Sequence, residues 1–289
     1  MSKVKALVGR SLSQLITSGS LQDFRRSLHA INRRATGKTP TVHFFNQPDD
    51  PYSQLLAACL PTLQSRYAVS IVSHVVPPPD AAAAPELERL KAWSLRDAHR
   101  LASALPAPPA RKDAGTASPT ASATMLAEGA ALRKQLGHYL GATLYFEGEW
   151  YWGVDRLHYL EARLAEAGLR AATPAGSEIS PYIFAPRALQ FQKVASPKGP
   201  APIIHFYCSL RSPYTCLAAR RVRELATHYG AELRLRFVLP MVMRGLPVPL
   251  PKRLYILRDA KREADRLGQS FGNVVDPVGK PVENGLALL

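Results

Sequence analysis

The sequence predicts an α/β protein built from two related halves. A strand, a helix and a second strand are predicted from about residue 41, and the same series recurs from about residue 203. In each series, short apolar runs typical of buried strands flank a segment with the apolar spacing of a helix. This order favours a right-handed unit with two parallel strands. The predicted class is therefore α/β, with the unit present twice.

An internal repeat with an offset of 162 residues is the evidence for two halves. When residues 41–102 are aligned with 203–264 without gaps, 17 of the 62 positions are identical. The identities include His-Phe at 43 and 205, Pro-Tyr at 51 and 213, and Leu-Arg-Asp-Ala at 95 and 257. An ungapped match of this length indicates a duplicated domain rather than a short structural repeat.

The elements of the two copies are predicted from apolar runs and prolines. A proline near the start of a helix is favourable, because its missing N–H would be unpaired there in any case. The predicted strands are Thr41–Phe45 and Val69–Val76 in copy one, and Pro202–Cys208 and Glu232–Leu239 in copy two, with helices beginning near Pro51 and Pro213.

Copy one continues beyond this unit, whereas copy two does not. A helix at Leu126–Leu136, a hairpin around Gly148 and a last helix from Gly153 to about Ala167 are predicted in copy one. Residues 137–170 have no counterpart, since an offset of 162 places them beyond Leu289. We therefore expect copy two to be truncated, and we favour a fragment of a longer protein.

The predicted organisation has four parts. A basic helical arm, copy one, a linker and copy two are predicted at 1–40, 41–170, 171–201 and 202–289. A further segment at 103–124 is rich in Ala, Pro, Ser and Thr, which predicts a flexible insertion.

Charge is unevenly placed along the chain. Residues 1–40 contain 8 basic and 1 acidic residues, and 181–289 contain 17 and 7, whereas 41–180 contain 12 and 14. An excess of cations favours an anionic partner, which could be nucleic acid, an acidic membrane face or a small molecule. A solvated arm with Arg-rich helix faces is the simpler interpretation, and we expect no nucleic-acid partner.

Cysteine content and hydropathy exclude several classes. The three cysteines, Cys59, Cys208 and Cys216, form no Cys-x-x-Cys pair, which argues against a disulfide framework and a cysteine-based zinc site. Cys216 is interpreted as a small buried residue. No apolar run is long enough to span a membrane, and no secretory signal is evident, so a cytoplasmic protein is expected.

These motifs resemble the DsbA-like branch of the thioredoxin superfamily. A strand ending in Phe-Tyr, followed by Ser212-Pro213-Tyr214 and a helix, is similar to the start of 2-hydroxychromene-2-carboxylate isomerases and kappa-class glutathione transferases. The stretch from Lys252 through Tyr255 to Asp259, and the Gly-Val-Asp-Arg sequence at 153–156, are similar to later parts of that family. The resemblance implies two thioredoxin-like domains with helical insertions.

The resemblance also implies a site in copy two. In the family, a serine at the position of Ser212 donates a hydrogen bond to the thiolate of bound glutathione, and the positive helix end favours that anion. Lys252 would meet a glutathione carboxylate, unless it is only one cation of a basic stretch. Tyr214 would line the pocket or simply pack, and Tyr255 would either contact the ligand or pack on a helix face. The implied cofactor is glutathione, no metal is expected, and the implied substrate is a small electrophilic or aromatic molecule. A plain N-cap serine is the competing interpretation of Ser212.

Copy one departs from the family at three site positions. Asp50 stands at the position of Ser212, and Leu90 at the position of Lys252. Gly141-Ala142-Thr143 precedes the hairpin, where the family has a cis-proline. A carboxylate would repel a thiolate, so copy one is predicted to be a structural or interaction domain.

Two other functions remain open. One is a non-catalytic thioredoxin-like scaffold, and the other is a thiol oxidoreductase, which is disfavoured because neither copy has Cys-x-x-Cys. The sequence leaves a homodimer open as well.

Overall fold

The computed structural model describes residues 3–105, 121–172, 180–186, 190–193 and 199–288. Its contacts divide the chain into two compact units. The copy-one unit comprises Asp23–Pro186, and the copy-two unit comprises Met1–Gln22 and Arg187–Leu289. The predicted arm at 1–40 therefore contributes to both units.

The described residues contain helices and short strands in a mixed order. The helices are α1 Lys3–Ile16, α2 Gly19–Thr36, α3 Pro51–Arg66, α4 Leu87–Ala102, α5 Ala123–Gln135, α6 Leu157–Glu166, α7 Pro213–His228, α8 Leu250–Arg266 and α9 Lys280–Ala287. The strands are β1 Thr41–Asn46, β2 Ser70–Val75, β3 Thr143–Phe146, β4 Glu149–Trp152, β5 Ile203–Cys208 and β6 Glu232–Phe237. Short 3-10 helices lie at Val154–Arg156 and Met241–Arg244.

The copy-one unit contains a four-stranded sheet in the order β2-β1-β3-β4. β1 and β2 are parallel, with Thr41 opposite Ser70, and α3 connects them. β3 runs antiparallel to β1, with Phe44 opposite Leu144, and forms a hairpin with β4. The hairpin turn uses Gly148 at a φ of 87°, a conformation that glycine adopts without steric cost.

The copy-two unit repeats the first part of this arrangement. β5 and β6 are parallel, with Ile203 opposite Glu232, and α7 connects them. β1 and β5, α3 and α7, and β2 and β6 begin and end 162 residues apart. Within residues 199–288, the sheet consists of these two strands.

The core of the copy-one unit lies where α3 and α6 meet the sheet. It is built from apolar side chains at helical spacing on the two helices and from inward-facing strand residues, among them Leu56, Leu63, Leu160, Phe44 and Leu144. Ile183 and Phe184, which belong to the predicted linker, are also buried in this core. Residues 180–186 therefore pack as part of the copy-one unit.

The α/β class is confirmed, and the predicted elements coincide closely with the observed ones. The strand predicted at Val69–Val76 is β2, and the helix predicted at Leu126–Leu136 is α5, shifted by a few residues. The hairpin predicted around Gly148 is β3–β4. Most of the predicted insertion, 106–120, and linker residues 173–179, 187–189 and 194–198 lie outside the described residues.

The expectation of a freely solvated basic arm is wrong for α2. Arg26 forms two hydrogen bonds with the Glu149 carboxylate, from Nε at 2.5 Å and from Nη2 at 3.1 Å. Arg33 pairs with Glu147, at the hairpin turn. Half-buried ion pairs of this geometry are stronger than exposed ones, because water screens them less. These pairs hold α2 against the β3–β4 hairpin.

Among the described residues, no helix combines the length and the apolar character needed to cross a bilayer.

Candidate functional site

Ser212 lies at the N-terminus of α7 and is its capping residue. Its backbone is extended, and its Oγ accepts a hydrogen bond from the Thr215 N–H at 3.3 Å. Pro213 follows as the first helical residue, a position that suits proline. The Ser212 side chain is half-buried. It therefore lies within reach of solvent at the positive end of a 16-residue helix.

Capping leaves the hydroxyl hydrogen of Ser212 available. The cap uses Oγ as an acceptor, whereas a contact with an anion would use O–H as a donor. Within the described ranges, Ser212 Oγ donates to no protein acceptor. The cap and an anion contact are therefore compatible, because they use different sides of the same oxygen.

The equivalent position in copy one is closed by a polar hub. Asp50 caps α3 by accepting the Ser53 N–H at 2.9 Å. Ser53 is fully buried, and its Oγ donates to Asp50 Oδ2 at 3.0 Å. The same Oγ accepts the N–H groups of Gln47 at 3.1 Å and Ala142 at 2.9 Å. The Ser53 hydroxyl is thus fully used within the protein.

Burial also affects the carboxyl group of this hub. Desolvation is the main cause that raises the pKa of Asp50, while the hydrogen bonds from Ser53 act in the opposite direction. A half-buried carboxyl group at this position disfavours a second anion close by. That copy one lacks a thiolate site remains a prediction.

Ala142 occupies the position where the family resemblance places a cis-proline. Its backbone is left-handed, with a φ of 51°, and no cis peptide bond occurs among the described residues. Gly141 precedes it because a Cβ there would lie 2.6 Å from Gln47 Cβ. Ala142 retains its N–H, which proline would lack, and donates it to Ser53. The chain therefore connects the hairpin to α3 by a hydrogen bond.

Tyr214 and Tyr255 converge on the carboxylate of Asp259. The Tyr214 hydroxyl lies 2.7 Å from Asp259 Oδ2, and the Tyr255 hydroxyl lies 3.4 Å from Oδ1. Asp259 and Tyr255 are buried, whereas Tyr214 is half-buried. Copy one contains the equivalent contact, in which Tyr52 donates to Asp97 at 2.8 Å. The shared tyrosine–aspartate contact joins the first helix of each copy to the next one.

Tyr214→Phe is expected to destabilise the copy-two unit by about 1–2 kcal/mol, because the buried Asp259 loses a charge-assisted hydrogen bond. Tyr52→Phe is the matched control, and we expect a smaller loss because Asp97 is only half-buried. Hydrogen exchange of α7 and α8 measures the effect in copy two, and that of α3 and α4 measures it in copy one. Unchanged protection of α7 in Tyr214→Phe would show that the contact is not structural.

Lys252 lies in the first turn of α8. Its Nζ is 3.9 Å from Met241 Sδ, in the 3-10 turn that precedes the helix. Burial lowers the pKa of Lys252, because desolvation disfavours the ammonium form. Lys252 is thus a half-buried group one helical turn before Tyr255.

Of the four predicted site residues, two contact a common group in the structure. Tyr214 and Tyr255 meet on Asp259. Ser212 lies two residues before Tyr214, at the start of the same helix. Sequence reasoning missed the role of Ser53, although the repeat aligns it with Thr215, whose Oγ1 accepts the Ser209 N–H at 3.3 Å. A polar side chain at the same place in both copies was the available signal.

The cysteines require one correction. The sequence predicts a buried Cys216, but this residue is exposed on α7, whereas Cys59 and Cys208 are buried. The helix turns its position outward, next to buried Leu217. All three thiols are free. In the part of the chain that the structure describes, no group of three or more His, Cys, Asp or Glu residues could hold a metal ion.

Comparisons of this chain with protein-family models, with curated proteins and with solved structures find no match.

Proposed function

We propose that the chain is a DsbA-like protein with two thioredoxin-like domains, of which the second binds glutathione. The supporting observation is topological. A parallel strand–helix–strand unit followed by an antiparallel hairpin and a final helix is the order that the family resemblance implies for copy one. The strand–helix–strand part recurs in copy two at an offset of 162 residues.

The proposed activity is a glutathione-dependent isomerisation or transfer on a small electrophilic or aromatic substrate. Ser212 carries the proposal, because its hydroxyl can donate to a sulfur anion while it caps α7. Backbone N–H groups and the helix dipole at the same end favour the thiolate over the thiol. A hydrogen bond to the anion lowers the thiol pKa further.

In the isomerisation, the glutathione thiolate adds to a conjugated carbon–carbon double bond. The new C–S bond places the electron pair on the conjugated carbonyl system and turns the former double bond into a single bond. Rotation about this bond and expulsion of the thiolate restore the double bond in the other geometry. No oxidant or reductant is required, which suits a site without a Cys-x-x-Cys pair.

Calorimetric titration of glutathione tests this proposal. The intact chain is expected to bind glutathione, and Ser212→Asp is expected to weaken binding at least about tenfold, because a carboxylate repels the thiolate. Aspartate is as good a helix cap as serine, so this variant separates the site from the cap. Ser212→Ala removes both functions and serves as the second variant.

Asp50→Ser provides the matched control in copy one and is expected to leave glutathione affinity unchanged. Failure of the intact chain to bind glutathione would exclude the proposal. Equal binding by wild type and Ser212→Asp would place the ligand elsewhere and exclude Ser212 from the site.

A non-catalytic scaffold is the second candidate, and one observation favours it. The hydroxyls of Tyr214 and Tyr255 both face Asp259, an arrangement that stabilises helix packing. A scaffold would show no thiolate-dependent turnover, and its Ser212→Asp variant would bind partner proteins as tightly as wild type.

A further inference from the structure

Helix α2 has its polar side turned inward and its apolar side turned outward. Arg26, His29 and Arg33 follow one another at helical spacing and face the β3–β4 hairpin. A Cβ at Gly148, in the hairpin turn, would lie 3.0 Å from His29 Nε2, so the helix approaches the turn closely. None of the described residues of α2 is buried. This orientation is the reverse of an ordinary surface helix.

The outward side of α2 is a continuous apolar stripe. It consists of Phe24, Leu28 and Ile31, which lie at positions i, i+4 and i+7 and therefore share one face. Their exposed fractions are 60%, 50% and 61%. Single exposed apolar residues are common, but three large ones in register on one helix indicate an interaction surface. We call these three residues the α2 stripe.

The stripe cannot turn inward while the ion pairs remain. Arg26 contacts both Glu149 and Glu166, the latter from Nη1 at 3.1 Å. Arg33 pairs with Glu147, which also accepts a hydrogen bond from Arg163 at 3.3 Å. Arg26 and Arg33 lie about two helical turns apart, and rotating α2 would break the contacts of both. The outward position of the stripe is therefore set by the pairing of the inward side.

The surroundings of the stripe are basic. Arg25 and Arg34 on α2 and Lys38 just after it are exposed, whereas Asp23 is the one carboxylate among residues 23–38. Apolar side chains bordered by cations complement a surface in which anionic groups lie above an apolar layer.

We propose that the α2 stripe binds the surface of an anionic lipid bilayer. Phe24, Leu28 and Ile31 enter the boundary between headgroups and acyl chains, and Arg25 and Arg34 contact the anionic headgroups. A bilayer suits a helix that is held along one side, because the lipid needs access only to the narrow outward face. A groove on a protein would have to enclose more of the helix circumference.

Vesicle co-sedimentation of the full chain tests this inference. We expect binding to vesicles that contain phosphatidylglycerol, little binding to pure phosphatidylcholine, and weaker binding at high salt. Changing Phe24, Leu28 and Ile31 together to serine is expected to lower the partition coefficient about tenfold or more. Arg25→Gln with Arg34→Gln should lower it several-fold and reduce its dependence on salt.

The matched control changes two apolar residues of α4 to serine, Trp93 and Leu95, which are equally exposed. This variant should bind like wild type. Phe24→Ser alone is the milder variant if the triple change impairs folding. Unchanged tryptophan fluorescence in these two variants, to which Trp93, Trp150 and Trp152 all contribute, would establish that the fold is retained. Absence of wild-type binding to anionic vesicles would overturn the proposal. So would equal binding by the stripe variant, or a wild-type dimer that the stripe variant dissociates, since the stripe would then contact a second chain.

Discussion

Ser53→Ala is expected to lower the free energy of unfolding of the copy-one unit by about 3 kcal/mol. The substitution leaves the N–H groups of Gln47 and Ala142 without their shared acceptor. Both groups lie beside a fully buried side chain, so water cannot readily replace the lost oxygen. Asp50 also loses the hydrogen bond from the Ser53 hydroxyl, but it still accepts the backbone N–H of residue 53 and caps α3.

Tryptophan fluorescence during urea unfolding measures this effect selectively. All three tryptophans, Trp93, Trp150 and Trp152, belong to the copy-one unit. Ser94→Ala is the matched control, because Ser94 is also buried but its hydroxyl donates only to the Lys91 carbonyl within α4. We expect the control to lose less than about 1 kcal/mol. Equal losses in the two variants would refute the hub as the main polar connection between α3 and the hairpin.

Glu161→Gln is expected to make the copy-one unit more stable than wild type above pH 7. Glu161 lies on α6 with its side chain fully buried, and its Oε2 accepts the Ile183 N–H at 2.9 Å. Arg66 Nη1 is 3.6 Å from Oε1 and favours the carboxylate, as does Arg170. Burial outweighs these contributions and raises the pKa of Glu161 to about 7.

The raised pKa of Glu161 sets how the stability of the copy-one unit varies with pH. Because the folded-state pKa lies above the unfolded-state value, the neutral side chain stabilises the fold at low pH. This contribution declines as the pH rises from about 4.5 to about 7 and is absent above it, a total of about 3 kcal/mol. Glutamine is neutral throughout, and its side-chain oxygen can still accept the Ile183 N–H. The difference in stability between Glu161→Gln and wild type should therefore grow with pH.

Urea unfolding between pH 5 and pH 8.5, monitored by tryptophan fluorescence, measures this difference. Glu128→Gln on α5 is the control, because it makes the same substitution at an exposed carboxylate. A Glu161→Gln variant that is less stable than wild type at pH 8 would show that the attraction of Arg66 and Arg170 for the carboxylate outweighs burial. Segment 180–186 should follow the same trend in hydrogen exchange, since Ile183 is bonded to this carboxyl group.

Local pattern was sufficient to predict the strand–helix–strand units. The spacing of apolar residues predicts the type of each element, because one face of the element has to be buried. Prolines then mark where the helices begin. The repeat then placed β5, α7 and β6 from β1, α3 and β2. The candidate site was predicted only as a position on a helix. Which donors surround Ser53, three residues after Asp50, depends on a segment far away in sequence, the one that contains Ala142.

The sequence also did not predict which side of helix α2 faces the sheet. Its composition predicted a basic helix, and the basic residues were expected to face solvent. The structure turns Arg26 and Arg33 toward acidic residues that lie more than 100 positions away. A helix alone does not specify which of its sides is inward. That choice depends on the partners available after folding.

Local sequence patterns are enough to predict the α/β class, the duplicated strand–helix–strand unit and the serine that caps α7, because apolar spacing and turn residues are read from near neighbours. The same patterns do not predict that Ser53 is saturated, that Glu161 is buried against Ile183 or that the α2 stripe faces outward. These features depend on hydrogen-bond satisfaction and desolvation by groups distant in sequence, which the fold brings into contact.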